Sequence, residues 1–367
     1  MKRSFIREIL EHTNSNTISF AGGLPNESLF PYKELQTSAY EILNNPKVLQ
    51  YSTSTGYKPL KEQIAKIYTE NGFETKSENI MITSGSQQAL DIICRYYTKE
   101  SITIESPSYL GAMNLFKLNQ MTTNAIELGS EGIDILNFEQ SLAKSKLAYL
   151  IPDFQNPTGT TYSLEHREKI AKIFQKNKRI LIEDSPYSEL YFNTPPRSIS
   201  SFLPKQSFHL GSFSKVLAPA LRIGWIRADS SLLQPLIAYK EAMDLHTSSI
   251  TQQMVSDYLR DEKMFQTHLH KLRKAYKEKM LYFSKILDAH LPKFSHKKPK
   301  GGMFIYGKIE GINSMELVQL AMKNGVVFVP GSEFGGADDE IRFNFTHSTF
   351  KEIEEGIKRI AKSLKDY

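Results

Sequence analysis

Short apolar runs alternate with helical stretches through the middle of the chain. Leu60, Ile64, Ile67 and Tyr68 recur at a spacing that places them on one helix face. Ala89, Leu90, Ile93 and Tyr97 do the same further on. Apolar runs follow at 102–104, 147–151, 180–183, 208–210 and 223–226, each bounded by polar or turn residues. Runs of this length alternating with helices predict a mainly parallel sheet with helices on both faces. The pattern changes toward the C-terminus. Strand-like runs at 303–306, 326–329 and 341–345 precede a helical stripe of Phe350, Ile353, Ile357, Ile360 and Leu364. The expected fold class is therefore α/β. A large domain spans 46–260, and a smaller α+β domain is built from 261–367 with the N-terminal segment 1–45.

In an open α/β sheet, ligands collect at the carboxyl ends of the strands. Polar residues fall at those ends. Asp184 follows the run 180–183, and Asn156-Pro157-Thr158-Gly159 follows 147–151. Ser212, Ser214 and Lys215 follow 208–210, while Ser108 and Tyr109 follow 102–104. Four strand-like units thus bring polar groups to one edge, which marks it as the candidate site.

Composition narrows the function classes. The lone Cys94 excludes an intramolecular disulfide and offers no zinc site, which fits a reducing, cytoplasmic compartment. Met1-Lys2-Arg3 is basic, but no apolar stretch follows, so no signal peptide is expected, and no run is long enough to span a bilayer. The net charge of +6 invites a nucleic-acid reading. Lysines and arginines are nevertheless scattered among acids, as in Lys58-Pro59-Leu60-Lys61-Glu62, and the patch Lys297-Lys298-Pro299-Lys300 is short and stands in no nucleic-acid module. Neither nucleic acid nor membrane is an expected partner.

Lys215 is the centre of the candidate chemistry. It follows a glycine and two serines directly after an apolar run, and Arg222 lies seven positions on. A lysine nucleophile must shed its proton, and burial or a nearby cation lowers its pKa. Two hydroxyls and an arginine beside it make a phosphate cradle, a combination suited to pyridoxal phosphate.

Gly211-Ser212-Phe213-Ser214-Lys215 with Arg222-Ile223-Gly224-Trp225 resembles the cofactor-lysine motif of the fold-type I, class I/II aminotransferases. The resemblance covers nearly the whole chain. Within the class it is most similar to the group holding 2-aminoadipate and kynurenine aminotransferases. The marks of that group are Ile18-Ser19-Phe20-Ala21-Gly22-Gly23-Leu24-Pro25, Gly85-Ser86-Gln87-Gln88-Ala89-Leu90, Asp244-Leu245-His246-Thr247 and Lys300-Gly301-Gly302-Met303-Phe304.

The resemblance implies a role for each matched residue. Lys215 carries pyridoxal 5'-phosphate as a Schiff base and moves the substrate's α-proton. Asp184 meets the pyridine nitrogen, where a carboxylate keeps the ring an electron sink. Tyr187 and Asn156 reach the ring oxygen, and Tyr109 stacks on the ring. Ser86 and Gln87 open a helix whose free amides join Ser212, Ser214 and Arg222 on the phosphate, while Ser86 also suits a simple N-cap. Arg342 binds the substrate α-carboxylate, and Gly23 leaves room for it. Tyr51 reaches the partner subunit's phosphate, which implies a homodimer with shared sites. Arg7 is a further candidate: the segment 6–10 is expected as a short helix covering the substrate side chain, where Arg7 would pair with a distal carboxylate such as that of 2-oxoglutarate; a solvent-facing helix charge is the alternative.

The reaction so implied is a ping-pong transfer of an amino group to a 2-oxo acid, expected to be 2-oxoglutarate. The donor is of the 2-aminoadipate, aromatic or branched-chain type. Two alternatives share the motifs. A β-lyase would use every cofactor residue. A non-enzymatic regulator would need a helix-turn-helix, for which the stretch before the first motif leaves no room.

Overall fold

The computed structural model describes residues 16–367. Its largest sheet has eight strands. Their spatial order is Ile80–Thr83, Gly224–Arg227, Ser207–Ser212, Ile180–Asp184, Leu147–Leu150, Ser101–Ser106, Thr122–Gly129 and Gly132–Ile133. The five consecutive strands from Ser207–Ser212 to Thr122–Gly129 run parallel. Gly224–Arg227 is antiparallel to both its neighbours, and Gly132–Ile133 to its one.

The apolar runs read from the sequence are these central strands. They are buried on both faces, so alternate residues feed two separate cores. Leu147, Tyr149, Ile182 and Phe208 pack with Ala89 and Ile93 of the helix Ser86–Tyr96 on one side. Ala148, Leu150 and Leu181 pack with Ile170 and Phe174 of the helix Leu164–Asn177 on the other. Each of the leucine, isoleucine and phenylalanine side chains contributes about 1.5–3 kcal/mol by leaving water.

A four-stranded antiparallel sheet holds the C-terminal runs, in the order Phe294–His296, Phe304–Ile309, Glu340–Asn344 and Val329–Pro330. The helix Glu262–His290 and the helix Phe350–Lys365 back it. The second begins with a capping box between Thr349 and Glu352. The run 326–329 is not one strand. Val326–Val327 pairs in parallel with Ile18–Ser19, whereas Val329–Pro330 pairs with Arg342 and Ile341. Phe328 sits between them, buried and edge-on to Phe343. The chain changes sheets at the residue it drives into the core. This break places the N-terminal strand beside the C-terminal sheet and so leads 20–23 into the site.

Candidate active site

Three parallel strands end in the residues that line the site. Ile180–Asp184 terminates in Asp184, Ser207–Ser212 leads to Lys215, and the loop after Leu147–Leu150 carries Asn156. Arg342 enters from the opposite sheet, on Glu340–Asn344. The segment 20–23 closes the space between them. Phe20 N donates to Val327 O at 2.8 Å, and Asn344 N donates to Phe20 O at 2.8 Å. The next carbonyls then turn to the site: Ala21 O accepts from Arg342 Nη2, and Gly23 O accepts from Lys215 Nζ at 2.7 Å.

Lys215 has no carboxylate partner among the described residues. Burial pushes its ammonium down to about 8, and the charges of Arg222 and Arg342 push the same way. The physical result is an amine that can be neutral near physiological pH. A Cβ on Gly23 would stand 3.8 Å from Lys215 Nζ and 3.5 Å from Phe304, so a side chain there would grow into the site.

Asp184 is buried and only half satisfied. Its Oδ2 accepts from Tyr149 OH at 2.7 Å, while Oδ1 has no hydrogen-bond partner. Burial pushes this carboxyl up to about 6, against the pull of the Tyr149 hydrogen bond. A buried carboxylate oxygen without a donor is costly, and a protonated ring nitrogen is a group that would satisfy it.

Arg342 is 1% exposed and lies between the rings of Phe304 and Phe334, at 4.3 and 4.7 Å. Its Nη1 donates to Asn156 Oδ1 at 2.8 Å, its Nε has no partner, and no carboxylate pairs with it among the described residues. Burial pushes the guanidinium down to about 10. The other side of the Asn156 amide meets Tyr187. Burial drives that phenol well above its ordinary range, while Asn156 favours the ionised form.

The residues expected from sequence to cradle a phosphate lie together. Gly85, not Ser86, caps the helix Ser86–Tyr96, with φ of 87° and no side-chain cap; Gln88 N donates to Gly85 O at 3.1 Å, and the Ser86 and Gln87 amides are left open. Arg222 Nη2 donates to Ser84 O at 3.0 Å, and Nη1 donates to Ser214 Oγ at 3.3 Å. Ser214 N in turn donates to Ser212 Oγ at 3.1 Å. Space here is reserved by missing side chains. A Cβ on Gly85 would meet Arg222 Nη2 at 2.3 Å, and one on Gly224 would meet Ser86 N at 2.5 Å. Tyr109 is tied in through its hydroxyl, which donates to Gln87 Oε1 at 3.1 Å. The donor set, the half-satisfied Asp184 and the partly neutralised lysine together fit pyridoxal phosphate.

Two of the sequence motifs turn out to meet each other. Asp244 Oδ2 accepts from Gln88 Nε2 at 2.8 Å and from Ser84 Oγ at 3.1 Å. The loop 244–247 therefore braces the start of the helix Ser86–Tyr96. Tyr149 was missed by the sequence reading. Its position inside a recognisable strand was visible, but nothing distinguished it among 18 tyrosines. Tyr51 is not brought to this site. It is 79% exposed on the protomer surface, edge-on to His246 with ring centroids 5.9 Å apart. Arg7 and the segment 6–10 lie outside the described residues.

A family model for aminotransferase class I and II matches residues 18–360, and the chain belongs to that family. It is 34% identical over 382 residues to the 2-aminoadipate transaminase of Thermus thermophilus, across 100% of this chain and 94% of that one. It is 35% identical over 386 residues to aromatic-amino-acid aminotransferase 1 of Thermococcus litoralis, across 100% and 92%. The crystal structure of α-aminoadipate aminotransferase from Thermus thermophilus, complexed with N-(5'-phosphopyridoxyl)-L-leucine, superposes with a TM-score of 0.92 at 34% identity, covering 100% of this chain and 95% of that one. The protein is thus an aminotransferase of fold type I. Its cofactor is pyridoxal phosphate, and its substrates are an amino acid and a 2-oxo acid. No helix among the described residues is long and apolar enough to cross a membrane.

Proposed function

We propose that the enzyme transfers the amino group of a 2-aminoadipate, aromatic or branched-chain amino acid to 2-oxoglutarate, in a ping-pong cycle centred on Lys215. The observation that carries the site assignment is the unpartnered Oδ1 of buried Asp184, at the end of the strand beside the one leading to Lys215. The names of the similar enzymes support the donor class, and the leucine adduct in one of them supports an apolar side chain.

Pyridoxal phosphate, when bound, supplies an aldehyde that condenses with amines and a ring that holds the electrons released at the substrate α-carbon. The remaining roles belong to the chain. Lys215 Nζ, brought near neutrality by burial, takes the substrate's α-proton. Asp184 Oδ1 holds the proton on the ring nitrogen, and Tyr149 fixes that carboxylate through its other oxygen. Asn156 and Tyr187 donate to the ring oxygen, and Tyr109 covers the ring. Ser86 and Gln87 amides, Ser212, Ser214 and Arg222 bind the phosphate. Arg342 orients the α-carboxylate of donor and acceptor alike, with Asn156 fixing the guanidinium and Gly23 leaving the approach open.

In this proposal the chain divides into a cofactor-binding domain at 46–260 and a small domain from 1–45 and 261–367, a division the separate eight-stranded and four-stranded sheets support. The exposed Tyr51 serves the partner subunit's phosphate in a homodimer. A half-reaction screen tests the donor. Each amino acid is added to the holoenzyme without acceptor, and the visible cofactor band is followed. Donors of the three types should bleach it, and 2-oxoglutarate should restore it. Bleaching only by other amino acids, or release of pyruvate and ammonia without acceptor, would overturn the reading.

A further inference from the structure

Two fully buried polar side chains near the site have no role in binding the cofactor. Glu105 is the fifth residue of the strand Ser101–Ser106, and Gln155 immediately precedes Asn156; both are inaccessible to solvent. Glu105 Oε1 accepts from Ile151 N at 3.1 Å and from Tyr162 OH at 2.7 Å. Its Oε2 accepts from Gln155 Nε2 at 3.0 Å. No cation pairs with it among the described residues.

Gln155 uses both ends of its amide. Nε2 also donates to Pro107 O at 2.9 Å, two residues before Tyr109. Oε1 accepts from Thr158 N at 2.9 Å and from Thr158 Oγ1 at 2.8 Å, on the far side of Asn156. The main chain of Gln155 closes the same loop, donating to Thr160 O at 2.9 Å and accepting from Gly159 N at 2.7 Å. One side chain therefore ties the 106–109 segment to the 155–160 loop, and Glu105 anchors that tie to the sheet. The 106–109 segment is bound on its other side by Ser108 N, which donates to Phe334 O at 2.9 Å, next to the ring that flanks Arg342.

We infer that Glu105 and Gln155 form a pair of positioning residues, which sets the spacing between Tyr109 and Asn156 across the cofactor site. The inference rests on the proposed roles of Tyr109 and Asn156. A buried pair of this type is intolerant of polarity changes, because each lost donor leaves an acceptor unsatisfied in a dry site. It also makes an exchange possible. In Gln155→Glu, an oxygen replaces Nε2 and faces both Glu105 Oε2 and Pro107 O. In Glu105→Gln with Gln155→Glu, the new amide nitrogen at 105 donates to the new carboxylate at 155. The oxygen of that amide still accepts from Ile151 and Tyr162, and only the bond to Pro107 stays lost.

The test uses holoenzyme of the wild type, Gln155→Glu, Gln155→Met and the exchanged double variant. The readouts are the dissociation constant for pyridoxal phosphate, the pH midpoint of the visible cofactor band, and thermal stability. Gln155→Glu should weaken cofactor binding at least about tenfold and shift the band midpoint, and the double variant should recover part of both. Gln155→Met keeps the volume without the charge and gives the same reading if Gln155→Glu does not fold. A purely structural pair would lower thermal stability while leaving the band midpoint and cofactor affinity within twofold of wild type, and that result overturns the inference. So does a double variant no better than Gln155→Glu. The roles of Tyr109 and Asn156 are tested separately by Tyr109→Ala and Asn156→Ala in the same cofactor titration: if neither weakens cofactor binding, it is the underlying reading that fails.

Discussion

Lys215, Asp184 and Arg342 are charged groups in a site that withholds their ordinary partners, and each has a consequence in the ligand-free protein. Lys215 is pushed down to about 8 from 10.5. The fold therefore binds its proton less tightly than the unfolded chain does, and this penalty is relieved as pH rises from about 8 through 10.5. Uptake of pyridoxal phosphate by the ligand-free protein should speed up about tenfold per pH unit below 8 and level off above it, followed by stopped-flow absorbance. A pH-independent rate between 6 and 8 would contradict a protonated resting lysine. Asp184 is shifted the other way, up to about 6 from 3.8, so stability is lost as pH rises through that interval. Asp184→Asn should raise the melting temperature of ligand-free protein at pH 8 but not at pH 4. The same change should cut kcat at least about a hundredfold, since a preorganised charge is gone. Arg342→Gln should raise KM for both amino acid and oxo acid about tenfold to a hundredfold, the loss of a charge-assisted carboxylate contact.

The strand and helix ends explain what the sequence could and could not disclose. The runs at 147–151, 180–183 and 208–210 were legible because central parallel strands are buried on both faces and so are mostly apolar, with Glu183 and His209 the polar residues among them. Thr122–Gly129 was not legible. It lies near the sheet edge with most side chains exposed, and Thr122, Thr123, Asn124 and Glu127 mask it as loop. The split of 326–329 was hidden because its residues are uniformly apolar whichever sheet they join. The same logic holds for the site. Lys215, Asp184 and Arg222 stand at strand ends in recognisable order, whereas Tyr149 and Glu105 face inward from strand interiors and acquire meaning only from their partners. At the proposed phosphate end, the helix Ser86–Tyr96 depends on a residue with no side chain. Gly85→Ala places a Cβ against Arg222 at a backbone angle that disfavours it, so cofactor affinity should fall at least about tenfold by equilibrium titration. Unchanged affinity would mean that this helix does not hold the phosphate.

At the scale of the molecule, several large apolar side chains are exposed. Tyr40, Leu43, Leu49, Tyr51 and Leu245 are all exposed, and Tyr51 stands at the 244–247 loop that braces the start of the helix Ser86–Tyr96. In the proposed homodimer this surface meets a second copy, and Tyr51 crosses to the partner's site. Mixing Tyr51→Ala protein with Lys215→Ala protein, after dissociation and reassociation, would then rebuild one native site per hybrid dimer and restore activity above the sum of the two. No gain on mixing would mean that each site is complete within its own chain. The donor side chain was the least legible feature at every scale, because the residues that identify the enzyme are those proposed to meet the cofactor and the α-carboxylate, which all amino acids share.

The most direct measurement concerns Lys215. Holoenzyme is reduced with borohydride, digested, and the peptide bearing the pyridoxyl group is sequenced by mass spectrometry, with Lys215→Ala treated in parallel. The modification should fall on Lys215 in the wild type, and the variant should show neither the reducible visible band nor a modified lysine. A pyridoxyl group on another lysine, or a Lys215→Ala enzyme that keeps the reducible band, would contradict the assignment.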